Sequence, residues 1–152
     1  MLTLFLSSFL TGCGGEAPKQ NTYDNLPPFS PIISLTPTDP VTTDDLVVGI
    51  ITESTDPDGD EVTTGYVWTV DGVISDQTSE TVPSSATTKG EVWTVNVISN
   101  DGSLDSAPAT FSVTIKNTAP VIDSTTATEG ATFGDALSVV VDSVSDADND
   151  TV

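Results

Sequence analysis

The sequence predicts an all-β protein, an antiparallel β-sandwich of about seven strands followed by an incomplete second copy. Two observations lead to this prediction. From about Ser30 onward, short runs rich in Val, Ile and Thr are separated by Gly, Pro, Asp and Ser, and no stretch has a helical period. The same pattern then begins again near Asn117. The first copy, from about Ser30 to Lys116, is long enough to bury a core. The second copy is shorter and is not.

The alternation of apolar and polar residues defines each predicted strand. The predicted strands are residues 31–35, 46–52, 62–70, 73–74, 78–82, the run containing Trp93, Val95 and Val97, and residues 110–115. Period-2 alternation places Tyr66, Trp68 and Val70 on one face. The dipeptide Asp71-Gly72 indicates a tight hairpin. We interpret Trp68 as a core residue, like Trp93; the alternative is a sugar-stacking platform.

Composition excludes several classes of function. The 152 residues include 23 acidic and 3 basic side chains, which gives a formal net charge of -20, and there is no His. The three cations are Lys19, Lys89 and Lys116, too few to bind a nucleic-acid backbone. Without His, and with Cys13 as the single cysteine, the chain lacks the residues for common catalytic triads, imidazole metal sites and cysteine-rich zinc sites. We therefore predict no enzymatic activity and expect divalent cations to be the natural small ligands.

The first residues, MLTLFLSSFLTGC, indicate a targeting segment. The apolar stretch is too short to span a bilayer, and Leu10-Thr11-Gly12-Cys13 resembles the bacterial lipobox. The resemblance implies a signal peptide at residues 1–12, lipidation of Cys13 and a flexible tether over residues 13–28. The alternative is a free cysteine after a chance apolar run. No Lys or Arg precedes the stretch, so we expect the true start upstream, and Gly14 favours delivery to the outer membrane.

A long-period repeat divides the rest of the chain. Residues 146–152, DADNDTV, echo residues 56–62, DPDGDEV, 90 positions earlier, and residues 117–120, NTAP, echo residues 25–28, NLPP. Repeats of this period indicate tandem domains. We therefore assign residues 29–116 to one β-sandwich and residues 117–152 to the truncated start of a second.

The repeat unit resembles the immunoglobulin-like repeats of bacterial surface proteins, close to polycystic-kidney-disease (PKD) and cadherin-like domains. The resemblance depends on four motifs: NTAP at 117–120, DPDGD at 56–60, YVWTVDG at 66–72 and NDG at 100–102. It departs from PKD repeats at residues 68–72, where those carry a longer W-x-F-G-D-G. The resemblance implies an immunoglobulin-like sandwich in a cell-surface array, with Ca²⁺ at the junctions between domains.

The acidic loop is the candidate functional site. In such a sandwich the loop after the second strand lies at the same end as the loop after the sixth. The predicted Ca²⁺ ligands of the first copy are therefore Asp56, Asp58, Asp60, Asn100 and Asp101; those of the second copy are Asp146, Asp148 and Asp150. Gly59 corresponds to Asn149, and both residue types tolerate a positive φ. An EF-hand is excluded because Glu61 stands where its loop needs Gly. The alternative is that these aspartates only form Asx turns.

These observations predict a calcium-binding lipoprotein module of the bacterial cell envelope that serves as a stalk or adhesion repeat. Its expected partners are the membrane, through Cys13, and protein or polysaccharide surface ligands, but not nucleic acid. The alternative is a spacer or accessory domain of a larger secreted enzyme or carbohydrate-binding protein. Further repeats downstream favour the first interpretation, and a catalytic sequence downstream favours the second.

Overall fold

The computed structural model describes residues 24–127, 130, 132–136 and 138–151. The predicted signal peptide, Cys13 and the first part of the tether lie outside these residues. The described tether residues 24–28 have no regular secondary structure. Among the described residues, no helix is long and apolar enough to cross a membrane.

The described chain is all-β, as the sequence predicts. Its strands are β1 (Ile32–Thr36), β2 (Leu46–Thr52), β3 (Thr63–Val70), β4 (Val73–Ile74), β5 (Thr81–Val82), β6 (Val92–Asn100), β7 (Ala109–Thr114), β8 (Val121–Ala127) and β9 (Val139–Ser145). The helical content of the described residues is one 3₁₀ turn, Ser84–Ala86. The predicted seven strands of the first copy are thus confirmed.

Strands β1 to β7 form two antiparallel sheets that enclose one core. One sheet has the order β1-β2-β5 and the other β4-β3-β6-β7. In the register of β3 with β6, Trp68 lies opposite Val95 and Val70 opposite Trp93. The alternating residues of both strands therefore share the buried face. We call residues 29–116 the first module.

The two tryptophans lie in the core of the first module. Trp68 is fully buried and Trp93 nearly so. Their rings meet edge to face, with centroids 6.1 Å apart and planes at 68°. Aromatic pairs prefer this arrangement. The indole nitrogen of Trp68 donates to the Ser79 carbonyl at 2.9 Å. The other buried apolar residues of this core are Leu35, Leu46, Val48, Val82, Val95, Val97, Val113 and Ile115. The core interpretation of both tryptophans is confirmed.

Two local predictions have different outcomes. The Asp71-Gly72 hairpin is confirmed, since both residues have positive φ, 51° and 82°, as a two-residue turn of this kind requires. The fifth strand was predicted at residues 78–82 but is shorter, because only Thr81 and Val82 pair with β2. The Ser79 carbonyl, which precedes the paired residues, accepts a hydrogen bond from the Trp68 indole.

The second copy begins with an antiparallel pair, β8 and β9, which forms a separate two-stranded sheet. Every residue of both strands is exposed, including Val121 and Val139. In the first module the corresponding strands, β1 and β2, are covered by the opposite sheet. Two strands alone cannot enclose a core.

Candidate cation site

The first acidic loop, residues 56–60, is an Asx turn between β2 and β3. The Oδ1 atom of Asp56 accepts hydrogen bonds from the backbone N–H groups of Asp58, Gly59 and Asp60 at 2.7, 3.1 and 3.3 Å. Gly59 has a φ of 88°, in the left-handed region. One carboxylate oxygen therefore organises the whole turn.

The second acidic loop, residues 146–150, repeats this construction. The Oδ1 atom of Asp146 accepts from the N–H groups of Asp148 and Asp150 at 2.8 and 3.1 Å. Asn149, which corresponds to Gly59, has a φ of 58°. The predicted left-handed turn at both positions is confirmed, because Gly and Asn are the residues that adopt this conformation at least cost.

Each acidic loop also holds the chain segment that leads into its module. The N–H of Leu26 donates to Asp58 Oδ2 at 2.7 Å, and the N–H of Thr118 donates to Asp148 Oδ2 at 2.7 Å. The matching contacts show that the sequence repeat is also a repeat of structure. Each loop is thus hydrogen-bonded to the segment that enters its module.

The loop after β6 meets the first acidic loop through the same entering segment. Asn25 Nδ2 donates to Asp101 Oδ2 at 3.0 Å, next to the contact of Leu26 with Asp58. Hydrogen bonds from the N–H groups of Leu104 and Ser103 lower the pKa of Asp101, and the Asn25 amide adds to this effect. The structure therefore places Asp101 at the predicted end of the sandwich.

Asn100, the predicted ligand with an amide side chain, forms its side-chain hydrogen bonds within the loop after β6. Its Oδ1 accepts from the N–H of Gly102 at 2.7 Å, and its Nδ2 donates to Asp105 Oδ1 at 2.7 Å. Its side chain thus organises its own loop, in the same way that Asp56 organises the first acidic loop.

Three carboxylate oxygens of the two acidic loops are shielded from solvent without a hydrogen-bond donor among the described residues. They are Asp56 Oδ2, Asp146 Oδ2 and Asp148 Oδ1. In Asp56 and Asp146 the other oxygen forms the turn, and in Asp148 the other oxygen holds the linker. A shielded carboxylate oxygen without a partner is costly, and a cation removes that cost. The Asx turns and a cation site are therefore compatible, since they use different oxygens.

The two loops differ in how closely their carboxylates approach. Within the described part of the chain, one group of three carboxylates has oxygens all within 4.8 Å of one another, namely Asp146, Asp148 and Asp150. Asp56, Asp58 and Asp60 do not form such a group. The second loop also differs in having a counter-charge.

That counter-charge is Lys89 of the first module. Its ammonium forms an ion pair with Asp150 and reaches Asp150 Oδ2 at 2.6 Å and Asn117 Oδ1 at 3.0 Å. The bond to Asp150 raises the pKa of Lys89, with smaller contributions from the charges of Asp148 and Asp146. The Thr42 hydroxyl lies 2.7 Å from the Thr118 hydroxyl and close to Asp148, without the geometry of a hydrogen bond to that carboxylate. Its proximity lowers the pKa of Asp148, as do the Thr118 N–H and the charge of Lys89.

Sequence patterns did not identify Lys89 or Thr42 as parts of the site. Both lie in connections of the first module, and Lys89 is separated from Asp150 by 61 positions. The available signal was the echo between residues 117–120 and 25–28, which places the second linker beside the end of the first module.

Comparisons with protein-family models, with curated proteins and with solved structures find no match to this chain. The geometry of the two acidic loops is therefore the basis of the functional argument.

The pKa of Asp101 leads to a prediction about pH. Because this pKa lies below the ordinary value of 3.8 in the folded state, the carboxylate contributes stability above about pH 4 that is lost as the pH falls below 3.8. We expect Asp101→Asn to lose less stability than the wild type between pH 6 and pH 3, measured by urea denaturation. Exposed Asp76→Asn is the matched control, and parallel pH profiles for all three proteins would contradict the prediction.

Proposed function

We propose that this chain is a non-catalytic, calcium-binding module of a bacterial surface lipoprotein, acting as a stalk or adhesion repeat. The two acidic loops are its cation sites. The observation that carries the proposal is the set of shielded, unpartnered oxygens of Asp56, Asp146 and Asp148 in loops of the same construction.

The chemistry of these loops suits a hard divalent cation. Ca²⁺ takes six to eight oxygen ligands at about 2.3–2.6 Å, from carboxylates, carbonyls and water. In the second loop, Asp146, Asp148 and Asp150 supply clustered carboxylate oxygens. In the first loop, Asp56, Asp58 and Asp60 are the corresponding ligands, with Asp101 near the same entering segment. A formal net charge of -20 further favours cation binding.

Binding of a cation is expected to fix the direction of the linker. Asp148 holds the Thr118 N–H through Oδ2, while its Oδ1 is the shielded oxygen. A cation at Oδ1 would immobilise the carboxylate that holds the linker, and thus stiffen the junction between modules. Stiffness, more than folding, is the expected benefit, because ten times Kd of ligand adds only about 1.4 kcal/mol to stability.

The surface location is supported by the sequence. The lipobox-like Leu10-Thr11-Gly12-Cys13 and the Gly- and Pro-containing residues 14–28 are typical of a lipid-anchored tether. A stiffened array on such a tether would project its modules away from the membrane.

Calorimetric titration with Ca²⁺ tests the proposal. We expect saturable heat for the full chain, together with a higher melting temperature that a chelator reverses. The double variant Asp56→Asn, Asp146→Asn is expected to lose both effects, because it replaces the shielded oxygens by amides. Absence of heat, with melting unchanged by the chelator, would contradict calcium binding.

A further inference from the structure

We infer that Lys89 is a built-in counter-cation of the second acidic loop, which docks that loop on the first module without metal and competes with a divalent cation for Asp150. The competition rests on the proposed calcium binding, whereas the docking does not.

All three protons of the Lys89 ammonium have acceptors on the second copy or its linker. They are the two carboxylate oxygens of Asp150 and Oδ1 of Asn117. An ammonium has three donors and no acceptor, so its hydrogen-bonding capacity is filled across the junction. Glycine follows Lys89, with a φ of 90°, and the Gly90 N–H donates to the Ile115 carbonyl at 2.8 Å. The backbone that presents the ammonium is thus held next to the linker.

Neighbouring contacts make this junction more than a single ion pair. The Thr42 and Thr118 hydroxyl oxygens lie 2.7 Å apart, and the Thr118 N–H binds Asp148. Thr42, Lys89 and Asp148 also line one shallow cavity with Thr88 and Asn149. Residues of the first module and of the second acidic loop therefore face each other across a shared polar surface.

The first acidic loop provides the internal comparison. It has the same Asx turn and the same linker contact, but the ion pairs of the described residues are Lys89–Asp150 and Lys116–Asp39. Thus no described ammonium pairs with Asp56, Asp58 or Asp60. Its three carboxylates also do not approach one another within 4.8 Å, as those of the second loop do. The close approach of carboxylates therefore coincides with the ammonium, as expected if the ammonium offsets their repulsion.

A divalent cation and the Lys89 ammonium cannot both bind the Asp150 carboxylate oxygens at the same time. Both oxygens of Asp150 are engaged by the ammonium, and a positive charge beside a bound divalent cation is repulsive. Because the Lys89 and Asp150 side chains are 38% and 39% exposed, the ion pair is weak enough for a cation to displace it. We expect removal of the ammonium to tighten calcium binding about fivefold, the upper range for an exposed pair.

The test compares Lys89→Met with Lys116→Met in the full chain, each also carrying Asp56→Asn so that the second loop is measured alone. Both substitutions remove one positive charge near the junction, but Lys116 pairs with Asp39 at 2.5 Å instead of the acidic loop. Calcium affinity is measured by calorimetry, and hydrogen exchange of the Thr118 amide is measured in EDTA.

We expect Lys89→Met to bind calcium about fivefold more tightly and to exchange the Thr118 amide faster in EDTA, while Lys116→Met changes neither. Equal calcium affinity in the two variants would overturn the competition and leave the proposed function intact. Unchanged Thr118 exchange would overturn the docking. If the second loop binds no calcium in any variant, both the proposed calcium binding of that loop and the competition are overturned. Faster exchange of the Thr118 amide in Lys89→Met would still support docking.

Discussion

Replacing Trp68 with alanine is expected to destabilise the first module by about 3–5 kcal/mol, the range for truncating a buried aromatic side chain. Trp68 is fully buried, packs on Trp93 and donates its indole N–H to Ser79. Its removal leaves a cavity and an unpaired carbonyl, against a total stability of about 5–15 kcal/mol for a typical domain. The measurement is urea denaturation followed by circular dichroism.

Val67→Ala is the matched control, because Val67 lies on the same strand with its side chain on the exposed face. We expect this change to shift stability by less than about 0.5 kcal/mol. Similar losses for Trp68→Ala and Val67→Ala would mean that β3 does not bury the face assigned to it.

Replacing Asp56 is expected to separate the two uses of its carboxylate. Asp56→Ala removes the acceptor of three backbone N–H groups and should destabilise the first module by about 2 kcal/mol. Asp56→Asn keeps an oxygen for the turn and should cost less than about 1 kcal/mol. Both variants should lose calcium binding at the first loop, because both lack the shielded Oδ2.

Denaturation and calorimetry on the same samples check both parts of this expectation. Asp76→Asn, an exposed position distant in sequence from the loop, controls for the change in net charge and should alter neither quantity. If Asp56→Asn binds calcium at the first loop as the wild type does, Asp56 acts in the turn alone.

The local patterns of the sequence were sufficient to predict most of the first module. Alternation placed Trp68 and Trp93 in the core, and Asp71-Gly72 defined its hairpin, because both features depend on residues close together in the chain. The positive φ of Gly59 and Asn149 also followed from comparison of the two copies. Local geometry was thus accessible from residue type and spacing.

The parts that the sequence did not predict depend on tertiary contacts. Residues 78–79 fit a strand pattern, but the Ser79 carbonyl accepts a hydrogen bond from the Trp68 indole. The side chain of Asn100 binds within its own loop, although its residue type also suits a cation ligand. The pairing of Lys89 with Asp150 joins the first module to the second acidic loop, and no local pattern contains that information. Which carboxylate oxygens are left unpartnered is likewise visible only in three dimensions.

A crystal structure determined in millimolar calcium, with anomalous data collected at long wavelength, tests the central claim most directly. Our account predicts an anomalous peak at each acidic loop, about 2.3–2.6 Å from Asp56 Oδ2 in the first and from Asp146 Oδ2 and Asp148 Oδ1 in the second. Ordered water at these oxygens, without an anomalous peak, would contradict it and leave the aspartates as turn-forming residues.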